Sequence, residues 1–232
     1  MIAGIFHQGS GLGNQLHRYV GARCVALDKD KSFTMVAPEL FKGKSFMNLD
    51  MGTPMDIPYV TEFPSGKVVP TDTAGVEVVD GEFQGEEDFI HHLDKVKEWL
   101  KVEPLDMPDD LCVINFRGGE YVGVSSLFLG EEYWQQAISL MRMKHPNIRF
   151  EVHTDDPVTA EQFFDFPIVN DIATNWRAIR YAKHLIISNS SFAILPALLG
   201  DADVIFAPKY WAGHNKGYWQ LPENQYKRFT YI

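Results

Sequence analysis

Short apolar runs alternate with helically spaced segments along most of the chain, and this alternation predicts its elements. Ile2 to Phe6 reads as a strand, and His7-Gln-Gly-Ser-Gly-Leu-Gly13 follows as a glycine-rich break. From Asn14 to Leu27 the spacing of Leu16, Tyr19, Val20, Arg23, Cys24 and Leu27 predicts a helix. Ser32 to Ala37 reads as a second strand ended by Pro38. Residues 39–81 carry Pro54, Pro58, Pro64 and Pro70 and scattered glycines, the signature of irregular loop with short strands. A helical pattern returns from Glu86 to Lys101, with Phe89, Leu93, Val96 and Leu100 on one face.

The segment 102–110 is rich in proline and acid and marks a domain boundary, leaving units 1–102 and 111–232. Beyond it strands and helices alternate strictly. Strands are predicted at Leu111 to Phe116, Ile148 to His153, Pro167 to Val169, Leu185 to Ser188 and Val204 to Ala207. Helices are predicted at Glu131 to Lys144, Val158 to Phe164, Trp176 to Lys183 and Phe192 to Leu199. Such alternation argues for an α/β fold, a parallel sheet covered on both faces. The chain reads as two Rossmann-like units of unequal size.

Composition narrows the classes. The 232 residues are 45% hydrophobic and 22% charged, which is globular, and the net charge of -10 excludes a basic nucleic-acid binder. No apolar run approaches the roughly 20 residues that span a bilayer. The N-terminus has no basic region ahead of its short apolar stretch, so no signal peptide is expected. Cys24 and Cys112 lie in apolar-patterned segments and read as buried thiols, as suits a reducing cytoplasm. Residues 1–116 hold 10 basic and 19 acidic side chains, whereas residues 117–232 hold 11 and 12. An anion is more readily held in the near-neutral second half.

Ligands of open parallel sheets bind beyond the carboxyl ends of the strands, and four loops follow predicted strands. Gly9-Ser-Gly-Leu-Gly-Asn-Gln15 resembles a phosphate loop but lacks the last glycine of the dinucleotide fingerprint and the Gly-Lys-Ser/Thr of phosphate-loop NTPases. Its glycines allow close backbone approach to a ligand; alternatively, Asn14 caps the following helix. Asn115-Phe-Arg-Gly-Gly-Glu-Tyr121 sets Arg117 just past a buried strand, where its fork suits a diphosphate or pairs structurally with Glu120. His153-Thr-Asp-Asp-Pro157 offers a carboxylate to a nucleobase or ribose, or a cap to the helix after Pro157. Ser188-Asn-Ser-Ser191 offers hydroxyls and N–H groups to a phosphate, or an ordinary cap. Four such loops on one sheet edge favour a nucleotide site.

Other features point away from metal or hydrolase chemistry. Asp28-Lys-Asp30 and Asp201-Ala-Asp203 have Asp-x-Asp spacing but precede strands, at the edge opposite the ligand edge, and read as turn acids. His91-His92 has no ligand partner at helical spacing, so zinc is not expected there. No serine lies in Gly-x-Ser-x-Gly.

Taken in order, these segments resemble the GDP-fucose-dependent α-1,2-fucosyltransferases of glycosyltransferase family 11. Gly11-Leu-Gly-Asn-Gln15 with Tyr19 looks like that family's opening motif, and Gly81-Glu-Phe-Gln84 with Glu87-Asp-Phe89 is similar to its aromatic stretch. Asn115 to Tyr121 falls where the family has His-x-Arg-Arg-Gly-Asp-Tyr. Thr154-Asp-Asp156, Ser188-Asn-Ser-Ser-Phe192 and Ala207-Pro-Lys209 match three later motifs. Asn115, Gly118 and Glu120 depart from the arginine motif, and Ile194-Leu195-Pro196 replaces the usual aromatic pair.

The resemblance implies a glycosyltransferase of the B type, with two Rossmann-like lobes, that is metal-independent, needs no cofactor and inverts the transferred fucose. It implies an acceptor-side lobe at 1–102 and a lobe at 111–232 that holds GDP-fucose, the donor, with a glycan as acceptor. Arg117 would neutralise the leaving diphosphate and Glu120 would stand as the candidate base. Asp156 would contact guanine, with Asn115, His153 and Asp155 nearby. Asn189, Ser190, Ser191 and Phe192 would form the diphosphate loop, and Gly11, Gly13, Asn14 and Gln15 would close over the donor. The altered arginine motif leaves two further readings: a GDP-sugar-binding protein without turnover, and a transferase for another GDP-sugar. A nicotinamide dehydrogenase is disfavoured by the incomplete glycine fingerprint.

Overall fold

The computed structural model describes residues 1–85, 88–212, 215–218 and 228–232. Glu86, where the second helix was expected to start, and Glu87 of the aromatic-stretch match lie outside the described residues. The chain divides into two compact units, Met1–Val102 and Glu103–Ile232.

In the first unit, β1 (Ile2–Ile5) leads into α1 (Leu12–Asp28) and returns through β2 (Phe33–Val36), which pairs parallel to β1 from Ile2↔Phe33 to Ile5↔Val36. All eight residues of the two strands are buried, as expected of a parallel sheet covered on its faces. The proline-rich stretch supplies an antiparallel hairpin, β3 (Tyr59–Glu62) and β4 (Lys67–Pro70), then β5 (Glu77–Val78), parallel to β1 on its other side. Ala3, Ile5, Val36, Ala37, Ile57 and Val68 form the core between sheet and hairpin.

Helix α1 starts at Leu12, two residues before the sequence suggests, with the backbone of Gly11 as its cap. Asn14 therefore lies inside the helix and does not cap it. The expected helix at 86–101 is shorter: a 3-10 turn at Ile90–His92 precedes α2 (Leu93–Trp99). Phe89 is buried edge-on against the His17 ring of α1, 6.0 Å away, and its backbone (φ −148°, ψ −10°) is not helical. Docking of Phe89 thus overrides the helical spacing of the segment.

The second unit runs β6 (Leu111–Phe116), α3 (Glu131–Lys144), β7 (Arg149–Thr154), α4 (Pro157–Phe163) and β8 (Ile168–Val169). It continues with α5 (Ile172–Tyr181), β9 (His184–Ile187), α6 (Ser191–Leu199) and β10 (Val204–Ala207). A small antiparallel pair, β11 (Tyr210–Ala212) and β12 (Asn215–Tyr218), precedes the last strand, β13 (Phe229–Tyr231). Among the described residues the sheet has the order β13-β10-β9-β6-β7-β8, and every pairing in it is parallel.

Side chains alternate across β6. Cys112, Ile114 and Phe116 join Trp134, Ala137 and Met141 of α3 in one core layer. Asn115 faces the opposite layer. Phe116 sits among the rings of Phe163, Trp134, Phe164 and Phe128, at centroid distances of 5.3 to 6.0 Å. Helix α5 begins four residues before the expected start because Asp171 caps it, accepting from the Thr174 N–H at 2.7 Å. The apolar helix α6 ends on cations: Arg180 donates to the Leu199 carbonyl, and Arg228 to those of Leu198 and Gly200. Cationic donors at a helix C-terminus satisfy its orphan carbonyls and oppose its dipole.

Cys24 and Cys112 are both buried free thiols, and burial pushes both up, Cys24 to about 12. Among the described residues no helix is long and apolar enough to cross a membrane.

Candidate nucleotide site

The strand order defines where a ligand can enter the second unit. From β6 the chain proceeds outward through β7 and β8, then crosses back to place β9 on the other side of β6 and continues to β10. The loops leaving β6 and β9 consequently diverge, opening a crevice at their carboxyl ends. Arg117 follows β6 and Ser188 to Ser191 follow β9, so the topology brings these two segments to one switch point. Beneath them the buried Ser188 hydroxyl donates to Oδ1 of Asn115 at 2.7 Å, joining the two strand ends. Asn115 thus serves as a link under the crevice, with its carbonyl oxygen already in use.

Arg117 is held on three sides. One guanidinium nitrogen donates to Asp155, another to Glu120, and the group lies 5.1 Å from the Tyr121 ring centroid. The structural pairing with Glu120 is therefore present, and Asp155 joins it. Burial pushes the Tyr121 hydroxyl up, against the opposing influence of Arg117.

The Asp155-Asp156 pair organises the same loop. Asp155 accepts from the Gly118 N–H at 3.1 Å, and Asp156 from the Gly119 N–H at 3.2 Å. Asp156 also caps α4, accepting from the N–H of Thr159 at 3.1 Å and from its hydroxyl at 2.6 Å. The Thr159 hydroxyl foremost, then its N–H, hold the Asp156 carboxyl below the usual carboxylate range.

These contacts explain the glycines that stand in the resembled arginine motif. A methyl group on Gly118 would lie 2.6 Å from Cβ of Asp156, so the loop has no room for a second arginine. Gly119 has φ +49°, where a side chain is strained.

Other residues of the four loops have internal duties. The buried His153 ring lies with Nδ1 3.0 Å from Oδ1 of Asn175 and Nε2 2.9 Å from Oε1 of Glu151. Asn175, from α5, also donates to the Thr154 carbonyl at 3.0 Å. Asn189 donates to the Leu127 carbonyl at 2.9 Å, and Ser190 caps α6 by accepting from the Phe192 N–H at 3.2 Å. The Phe192 ring packs edge-on against Trp176, with centroids 5.5 Å apart. Ser191 opens the helix itself.

Tyr133 is a supporting residue that spacing did not reveal. Its buried hydroxyl donates to the Ile187 carbonyl at 2.6 Å, fixing the last residue of β9 under the crevice; burial pushes this hydroxyl well above its ordinary value. Tyr133→Phe strands that carbonyl and is expected to cost about 1–2 kcal/mol. Urea denaturation of the full chain checks this, and an unchanged midpoint would refute it.

Gly11, Gly13, Asn14 and Gln15 belong to the first unit. Gly11 and Gly13 lie at the cap and the second residue of α1. Asn14 accepts from the Gln84 amide at 3.0 Å. Both ends of the Gln15 amide are used: Nε2 donates to the Leu40 carbonyl at 2.8 Å, and Oε1 accepts from the Lys42 N–H at 2.9 Å. The segment 81–84 lies along α1, where a methyl on Gly21 would fall 2.1 Å from the Phe83 ring. Two segments seventy residues apart thus form one packed unit.

A cavity of about 940 Å³ opens beside this arrangement, lined in part by Ser10, Arg18, Lys67, Asp80 and Glu82. Arg18 donates to both Asp80 and Glu82. His7 accepts from the Val68 N–H at 3.0 Å through Nδ1, which leaves the Nε2 proton facing Asp80 at 2.9 Å. Burial pushes Asp80 up, but His7 and Arg18 outweigh it and hold the carboxyl below its ordinary range.

Comparison with known proteins adds a distant likeness. No family model matches the chain, and no curated protein matches it significantly. Among solved structures it is similar to NodZ α-1,6-fucosyltransferase co-crystallised with GDP. The identity is 11% and the TM-score 0.44, over 88% of this chain and 93% of that one. A second similar structure is fucosyltransferase NodZ from Bradyrhizobium, at 11% identity and a TM-score of 0.43, over 88% and 94% of the two chains. The likeness is to fucosyltransferases.

Proposed function

We propose that the second unit holds the diphosphate of a GDP-sugar at the β6/β9 switch point, and that the chain transfers fucose from GDP-fucose to a sugar hydroxyl. The observation that carries this reading is Arg117 just past the carboxyl end of β6, with the segment that opens α6 leaving the carboxyl end of the adjacent strand β9. Glycosyl transfer leaves negative charge on the departing diphosphate, and a planar cation beside a helix start is suited to take it. Arg117 neutralises the diphosphate on this reading, with Ser190 and Ser191 beside it and no metal ion at that position. Asp155 and Asp156 border the nucleoside end. The order of motifs adds an inverting α-1,2 transfer. The acceptor enters the polar cavity of the first unit, whose mixed charges suit sugar hydroxyls.

One observation favours a second reading, a GDP-sugar-binding protein without turnover. Both guanidinium nitrogens described above are already engaged by carboxylates, and Gly118 provides no second cation. Calorimetry with GDP in EDTA tests what the two readings share, because absence of binding refutes both. Mass spectrometry of GDP-fucose with a pooled galactoside acceptor separates them: a fucosylated product supports transfer, and intact donor supports binding alone. Other GDP-sugars in the same assay test the choice of donor.

Glu120 is the exposed partner of Arg117 and, once GDP has displaced it from the guanidinium, the proposed base on the face opposite the leaving diphosphate. Glu120→Gln removes a carboxylate that competes with phosphate for Arg117. GDP affinity is expected to hold or rise a few-fold while turnover falls by about 10²-fold. Full turnover in the variant would assign Glu120 a purely structural place.

A further inference from the structure

The histidine pair in the first unit has a ligand partner that sequence spacing conceals. His91 and His92 lie in the 3-10 turn before α2, and Asp28 is the last residue of α1. Neighbouring side chains on a helix normally diverge. Here the two rings stand 4.3 Å apart and turn to the same carboxylate. Nε2 of His91 lies 3.1 Å from Oδ2 of Asp28, and Nε2 of His92 lies 2.7 Å from Oδ1. One ligand atom from each residue falls within a sphere of contacts no wider than 4.8 Å, and among the described residues no other such group of three occurs.

Asp28 places a negative charge at the C-terminus of a 17-residue helix, where the dipole is already negative, and no basic residue lies in the last turn. Two imidazoles meeting one carboxylate are the donor set of a first-row divalent ion, with metal–nitrogen and metal–oxygen bonds of about 2.0–2.2 Å. Ligands at such bond lengths in a tetrahedron stand about 3.3 Å apart, and the three donor atoms lie within 4.8 Å of one another, so side-chain rotation can bring them onto one ion. His91 and Asp28 are half exposed, which leaves a path for the ion and room for water to complete its shell.

We propose that Asp28, His91 and His92 form a binding site for a divalent ion of the zinc type, a staple joining the end of α1 to the start of α2. The site lies in the first unit, on residues outside the proposed diphosphate site of the second, and does not depend on the transfer reaction. Bound metal cross-links two elements that are 63 residues apart in the chain, and it favours the folded state over the unfolded one.

The test uses the full chain freed of metal with EDTA and then desalted. Titration with Zn²⁺ by calorimetry should show one saturable site of micromolar affinity. The melting temperature should rise by about 5 °C or more at a hundredfold excess over Kd. Co²⁺ should give the visible absorption of a nitrogen- and oxygen-ligated ion.

Asp28→Asn and His92→Gln should each weaken Zn²⁺ binding by about tenfold or more. His145→Gln serves as a control: its ring pairs with His184 elsewhere in the fold, so binding should be unchanged. Circular dichroism establishes that the variants remain folded, and the measurements on the unaltered chain stand without them. The proposal is overturned if the unaltered chain shows no saturable site. It is equally overturned if folded Asp28→Asn and His92→Gln proteins bind as the parent does, or if His145→Gln abolishes binding.

Discussion

Arg117→Ala is expected to weaken GDP binding by about 10–100-fold and to lower turnover by a further 10²–10³-fold. The first figure follows from losing charge-assisted hydrogen bonds to a phosphate, and the second from losing a cation where charge develops as the diphosphate leaves. The folded state should barely notice. The ion pairs of Arg117 are only partly buried, with Glu120 largely exposed, so their loss costs about 1 kcal/mol or less. Asp155 also keeps its hydrogen bond from the Gly118 N–H. Arg117→Lys should fall between the parent and the alanine variant, because it keeps the charge and loses the fork. Calorimetry with GDP and a transfer assay on the same preparations check both effects. A GDP affinity equal to the parent's in a folded Arg117→Ala protein would remove the diphosphate from the β6/β9 crevice.

The pairing of Arg117 with two carboxylates has a consequence for binding strength. GDP must take the place of Glu120 or Asp155 on the guanidinium, so part of the binding energy is spent on breaking existing pairs. This explains why Glu120→Gln is expected to hold GDP affinity or raise it a few-fold while Arg117→Ala lowers it. That contrast tests the location of the diphosphate more stringently than either variant alone.

The sequence made the second unit legible because burial there is two-sided and periodic. Leu111 to Phe116 reads as a strand, apolar but for Asn115, and is one, and Glu131 to Lys144 matches its helix at both ends. Departures arose where tertiary contacts override local pattern. Phe89 docks on α1 and truncates a helix, and Gly11 starts α1 ahead of the residue that looked like its cap. The start of α5 was within reach: Asp171 three residues before Thr174 is a capping signal. The final strand was not, since Phe229 to Tyr231 is too short to stand out until β10 supplies a partner.

For the site, chain order identified the loops, and no spacing rule identified their internal partners. The Asp28–His92 contact spans 64 residues and the Ser188–Asn115 contact 73, so neither leaves a local signature. Residue type also proved a poor guide to orientation. Asn115 and Ser190 have the chemistry of ligand contacts, yet their side-chain oxygens serve a strand link and a helix cap.

Gln15 presents the same question in its sharpest form, because the resemblance places it against the donor and the structure buries it wholly. Its amide bridges the Leu40 carbonyl and the Lys42 N–H, which hold the turn following β2 onto α1. Gln15→Ala leaves both backbone groups without their partner and opens a cavity between them. At about 1–3 kcal/mol for each stranded buried group, plus the lost packing, the expected cost is about 3–5 kcal/mol. Gln15→Glu keeps the acceptor but replaces the amide donor with a second oxygen facing the Leu40 carbonyl, so it should also destabilise. If Gln15 acts through packing, the folded fraction of either variant retains parental GDP affinity while its melting temperature falls. If Gln15 instead touches the donor, affinity falls at little cost in stability. Calorimetry below the melting transition, paired with thermal denaturation of the same protein, distinguishes the two, and the doubly bonded amide predicts the first result.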